Sequence, residues 1–153
     1  MTQEQIQINQ VQTLRLPVIA MRGLVMFPKM VLHFDVARKK SILALNQAMQ
    51  GNQKIFLVTQ RDILQDDPSM DGLYDVGTVA EVRQVLKMPG DAVRVLVHGE
   101  YRAHITEELA AKSYLCARVE SLPDENVPMQ SVRVDALLRQ AAQLFDEFIE
   151  LSQ

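Results

Sequence analysis

A few patterns in this chain carry the residue types that catalysis or metal binding uses, and each fails on spacing. Lys112-Ser113 sets an amine beside a hydroxyl. Nothing around the pair supplies donors for an oxyanion, and no serine sits in a Gly-x-Ser-x-Gly turn. A phosphate cradle needs Gly-x-x-x-x-Gly-Lys-Ser/Thr, whereas Gly23, Gly51, Gly72, Gly77, Gly90 and Gly99 are scattered. His98 and His104 flank Gly99 at a spacing that suggests an approach across strands. Zinc would need further ligands, and neither Glu100 nor Cys116 stands at a zinc-site interval. The acidic run Asp62, Asp66, Asp67, Asp71, Asp75 lacks the ligand order of a calcium loop and is interrupted by Pro68. These residues read as solvated surface, with no catalytic residue, no metal and no cofactor.

Two other features point to binding. Met21, Met26, Met30 and Met88 fall at bends or strand ends, beside Phe27, Pro28 and Pro89. Methionine is flexible and polarisable, so a surface lined by it accepts many apolar partners. The competing account is that these side chains close the ends of the core. The second feature is Arg38-Lys39-Lys40 at the start of a helix, where positive charge opposes the helix dipole by about 0.3–1 kcal/mol each. Such a run suits an acidic partner or a neighbouring subunit, or else a solvated turn offset by Asp35.

These candidates must be positioned by the elements around them. Residues 1–13 form a polar leader. Leu16 to Met21 is a short apolar run whose Pro17 fits an edge or entry strand. Arg22-Gly23 turns the chain, and LVMFPKM reads as an exposed bend because proline excludes a central strand. Val31, Leu32, Phe34 and Val36 make the next strand. A helix follows from about Arg38 to Gln50, with Ile42, Leu45 and Met49 as its core stripe and Gly51-Asn52 as its end. Ile55 to Val58 is a strand buried on both faces. The alternation starting at Val76 breaks at Gln84-Val85-Leu86, as a bulge would break it. Met88-Pro89-Gly90-Asp91 has the composition of a type II turn. Val93, Val95 and Val97 alternate up to a sharp bend at Gly99, and Tyr101, Ala103 and Ile105 resume beyond it. Leu115, Ala117 and Val119 supply a last strand. The fold class is α+β: a small, highly curved barrel of about six strands with one helix. Residues 123–128 are a linker, and an amphipathic helix runs from Met129 with Leu137, Leu144, Phe145 and Phe148 on its apolar stripe. That stripe is still repeating at Gln153, which suggests the first helix of a truncated helical region. The stripe is expected to contact another subunit, giving a possible dimer of the fragment.

The block LPVIAMRGLVMFPKMVLHFDVARKKSILALNQAM, with DVGTVAEVRQVLKMPGDAVRVLVHG, resembles the amino-terminal, substrate-binding domain of the Lon family of ATP-dependent serine proteases. The resemblance runs from about Leu14 to the end. It implies a PUA-like barrel over residues 14–122. It also implies a non-catalytic module for substrate recognition and assembly. The whole protein would be a cytoplasmic hexamer with AAA+ and Ser–Lys protease domains. That machine uses ATP and Mg to degrade misfolded, damaged and short-lived regulatory proteins under stress. A free-standing LON-domain protein is one alternative, and an RNA-binding PUA-like domain is another.

Composition narrows these. The 153 residues carry net charge −3, no tryptophan and one cysteine, Cys116. An acidic chain poor in aromatics is a weak candidate for nucleic acid. A single cysteine excludes an internal disulfide and suits a reducing compartment, hence a cytoplasmic location. No apolar run approaches the ~20 residues of a membrane span. Bases cluster from Arg15 to Lys40 and acids from Glu120 to Glu150, an asymmetry able to steer association between subunits or domains, or else simply two solvated faces.

Overall fold

The chain is described here by a computed structural model covering residues 11–111, 113–123 and 131–152. It divides into two units, Met1–Pro123 and Asp124–Gln153. The first unit contains β1 (Thr13–Met21), β2 (Val31–Val36), α1 (Lys39–Gln50), β3 (Lys54–Thr59), β4 (Val76–Lys87), β5 (Val93–Leu109) and β6 (Leu115–Ser121), with a 3-10 turn at Met70–Gly72. The sheet order is β2-β5-β4-β3-β1-β6, and β6 returns to pair with β5. Five strands therefore close on themselves, with β2 alongside. The curved six-stranded sheet of an α+β fold, expected from the sequence, is what forms.

Closure depends on β5, whose 17 residues outrun every neighbour. Its first half pairs with β2, from Val36↔Val93 to Val31↔His98. Its second half pairs with β6 from Ala103 to Leu109, and β4 lies along its other flank from Val93 to His104. Gly99 stands where the partners change. The bend expected there is not a strand end: β5 runs through, and the irregularity is a bulge opposite Val79/Ala80. A second bulge at Val82/Gln84 accounts for the broken alternation before Val85. In the β4–β5 turn Gly90 has φ +81, as position three of a type II turn requires. Asp91 adds a further left-handed residue, so the loop closes by the Met88 amide donating to the Ala92 carbonyl at 2.9 Å.

β3 explains the uninterrupted apolar run. Ile55 and Leu57 enter one core cluster with Ile19, Val82, Val95 and Val97. Phe56 and Val58 enter another with Leu16, Val18, Val79 and Val119. Pro17 does not mark an edge strand, since β1 pairs with both β3 and β6. The proline is tolerated because pairing with β3 starts at Val18, one residue later. The stripe of α1 also differs from expectation. Ser41, Ala44, Leu45 and Ala48 are buried, while Met49 is exposed and Ile42 half-buried. Small side chains face the sheet because they let the helix approach closely.

Among its described residues the second unit is one helix, α2 (Val132–Leu151). Ser131 caps it, its hydroxyl accepting from the Val134 amide at 3.1 Å, and Asp135 sits favourably in the first turn. The expected start at Met129 and the linker from 124 to 128 lie outside the described residues, as does most of the leader. β1 begins at Thr13, the last position assigned to that leader.

A Cβ on Gly99 would lie 2.4 Å from the Phe27 carbonyl oxygen, so backbone must move to admit it. Gly99→Ala should lower stability by about 1–3 kcal/mol, read as a reduced urea midpoint at unchanged m-value.

Candidate functional site

The loop joining β1 to β2 is held to the barrel by its own main chain. Thr59 Oγ1 donates to the Leu24 carbonyl at 2.7 Å, and Thr78 Oγ1 to the Met26 carbonyl at 2.6 Å. The Lys29 amide donates to Gly99 O at 2.8 Å, and the Gly99 amide to Met30 O at 2.9 Å. This is a bulge with Lys29 in the left-handed region at φ 66, where glycine is the usual occupant. Anchoring on both sides forces the side chains to alternate. Met26 turns into the core, while Val25, Phe27 and Val31 face water at 50%, 57% and 64% exposure.

That geometry corrects part of the methionine patch. Met21 and Met26 are core residues, buried against Ile19, Val36 and Leu45. Met30 is half-buried on the same cluster, and Pro28 is half-buried. Met88 and Pro89 do not join Phe27. They occupy the β4–β5 turn beyond Val93, six residues along β5 from Gly99, or roughly 20 Å at the rise of a strand. What remains is an apolar surface of Phe27 with Val25 and Val31. The last two are absent from the methionine reading. The odd-numbered outward positions Val31, His33 and Asp35, opposite the inward Leu32, Phe34 and Val36, already place Val31 on the wet face.

The basic run is largely turned toward its own chain. Arg38, the residue before α1, donates from Nη2 to Gln60 Oε1 at 2.7 Å and from Nη1 to Ala20 O at 3.3 Å. Gln60 is fully buried, and its Nε2 donates to the carbonyls of Asp62 and Gln65. Lys40 meets Asp67 at 2.7 Å and Arg22 meets Asp66 at 2.8 Å. Arg38 is thus a structural residue rather than an offered contact, and Lys39 is the exposed member of the three. Asp35 does not offset the run; it binds Arg94 through both oxygens, at 2.7 and 3.0 Å. Burial, together with the nearby Arg22 charge, pulls the Arg38 guanidinium down from its ordinary value.

Beside these groups lies a groove of about 520 Å³. Its walls come from the end of β1, from Leu24 and from β2, and Arg22, Arg38 and Asp66 line it too. Among the described residues no three potential ligands gather for a metal. His98 and His104 lie on the same strand, opposite Val31 and Glu120 respectively, and do not face one another. Lys112 lies outside the described residues. On α2, taken by itself, Leu137, Leu144, Phe145 and Phe148 recur at helical spacing with no core of their own. No described helix is long and apolar enough to cross a membrane.

Arg94 holds the Asp35 carboxyl below the usual carboxylate range by hydrogen bonding. A depressed folded-state pKa contributes stability above the unfolded value, near 3.9, and loses it as pH falls through the folded value. The Tm difference between the parent and Asp35→Asn, open at pH 7, should therefore shrink steadily below about pH 4.

Residues 15–153 match the family described as the ATP-dependent protease La (LON) substrate-binding domain. The chain is 46% identical over 143 residues to the Lon protease of Syntrophomonas wolfei, covering 93% of this chain and 17% of that protein. It is 38% identical over 138 residues to Lon protease 1 of Bacillus subtilis, covering 90% and 18%. It spans about a sixth of the length of these curated relatives. Among solved structures, the N-terminal domain of a Mycobacterium avium complex Lon protease superposes with TM-score 0.70 at 18% identity, over 90% of this chain and 69% of that one. A Lon N-terminal domain protein from Xanthomonas campestris gives 0.56 at 12% identity, over 84% and 74%. With a barrel of the same fold and a match across nearly its whole length, this chain belongs to the LON substrate-binding domain family.

Proposed function

We propose that the chain recognises unfolded or misfolded polypeptides for a cytoplasmic, ATP-dependent Lon-type protease, and that it does so through apolar contacts without a cofactor of its own. ATP and Mg would serve the rest of that protein, as would its assembly into a hexamer. The observation that carries this reading is the pinned β1–β2 loop. Its main chain is bonded to Thr59, Thr78 and Gly99, yet it presents Val25 and Phe27 to water, with Val31 just beyond. Exposing large apolar side chains on an anchored loop gains nothing for the fold. It does prepare a surface that pays little ordering entropy on binding. Such a patch is small against a stable interface, which suits weak, tolerant capture.

Binding of reduced, carboxymethylated lactalbumin to the full chain tests this. Phe27→Ser and Val31→Ser together should weaken it about tenfold, as expected for losing roughly 1.5 kcal/mol of side-chain burial, with melting unchanged. Met26→Ser is the contrasting variant, because it should destabilise the barrel. A double variant that melts and binds like the parent would sink the reading.

The apolar stripe of α2 is proposed as a subunit contact. Leu and Phe side chains contribute roughly 1.5–3 kcal/mol each when buried, so four per copy can offset the entropy of association. Sedimentation at micromolar concentration should show self-association that Phe145→Asp with Phe148→Asp abolishes.

A further inference from the structure

Among the described strands, β2 is the one that pairs along a single flank, with β5. The Gly99 amide donates to Met30 O, and the register then runs in step from Val31↔His98 to Val36↔Val93. Antiparallel bonding alternates, so Leu32, Phe34 and Val36 turn their main-chain groups to β5. His33 and Asp35 turn theirs to the outer edge. The facing wall is the end of β1, which pairs with β6 only as far as Val18; beyond it the Ala20 carbonyl accepts from Arg38 Nη1. The 520 Å³ groove lies between these two strands. Phe34, Val36 and Leu24 give it apolar walls, and two guanidiniums, Arg22 and Arg38, stand together in its lining. Burial, and then the Arg22 charge, lowers the Arg38 guanidinium from its ordinary value. The carboxylate now answering Arg22 is Asp66, whose side chain is 94% exposed and readily displaced.

We propose that an extended segment of unfolded polypeptide adds as a strand to the outer edge of β2, seating an apolar side chain in the groove and an acidic group against Arg22. This rests on the reading of the chain as a receptor for unfolded polypeptides, and it supplies the discrimination that apolar contact alone lacks. Main-chain pairing is blind to side-chain identity, so many sequences qualify. A folded protein keeps its strands paired or its edges blocked and cannot comply. The apolar well and the basic rim then favour segments in which an aliphatic residue lies near an acid.

The test is amide hydrogen exchange by NMR on the full chain. The probe is a blocked heptapeptide of alternating threonine and leucine that carries one aspartate. At saturation, exchange at His33 and Asp35 should slow at least tenfold, while Leu32 and Phe34, already bonded to β5, stay unchanged. His33→Pro removes an outward amide and should cut peptide affinity at least fivefold. If that variant does not fold, exchange in the parent decides alone. Peptide binding without slowing at His33 and Asp35 overturns the strand-addition mode and leaves the receptor reading intact. Failure of both the heptapeptide and carboxymethylated lactalbumin to bind overturns both.

Discussion

The exchange of partners along β5 is the constraint on which the rest of this structure depends. One strand must serve β2 over its first half and β6 over its second, while keeping β4 on its other flank. Without that length the sheet would remain open, with β6 as an unprotected edge. The exchange happens at Gly99, where the β1–β2 loop crosses so closely that its Phe27 carbonyl would strike any Cβ. Barrel closure and the placement of the candidate site are therefore one event. The loop that carries Phe27 is bonded to the same residue at which β5 changes neighbours.

This coupling explains why the exposed apolar residues persist. A loop free to move would fold Phe27 back onto the core beside Met26, since burial favours it by about 1.5–3 kcal/mol. Hydrogen bonds from Thr59 and Thr78 to successive even-numbered carbonyls prevent the necessary rotation. Thr78 is itself buried, and its hydroxyl would lose its partner if the loop lifted. The surface is held outward by the cost of leaving polar groups unpaired inside.

Most strands were legible because their patterns are local. The apolar run Ile55–Val58 announces a doubly buried strand, and the alternation of β2 announces a half-buried one. The bulge before Gln84 was visible only as a broken period and the one opposite Gly99 only as a bend, since a bulge depends on the partner strand. Pro17 misled for the same reason: whether a missing amide matters is decided by where β3 begins, which no local pattern reveals. The methionines show the deeper limit. Met26 and Phe27 are neighbours of similar hydrophobicity, and composition cannot tell which one turns inward. Two threonines, 35 and 52 residues along the chain from the carbonyls they bond, decide it through tertiary hydrogen bonds.

Arg38 shows how a charge run changes meaning once the fold surrounds it. In sequence, three adjacent bases at a helix start oppose the dipole and invite an external acid. In the folded chain the Gln60 amide bridges Arg38 to the carbonyls of Asp62 and Gln65, bringing the acidic loop against the helix start. Asp66 and Asp67 then meet Arg22 and Lys40 from that loop. Exposed pairs of this kind contribute little individually, and the weight falls on the buried Gln60. Its side-chain oxygen would be stranded without Arg38, at about 1–3 kcal/mol. The loop and the basic run are thus two halves of one internal clamp, and the groove they border keeps its shape because that clamp is anchored in the barrel rather than in solvent.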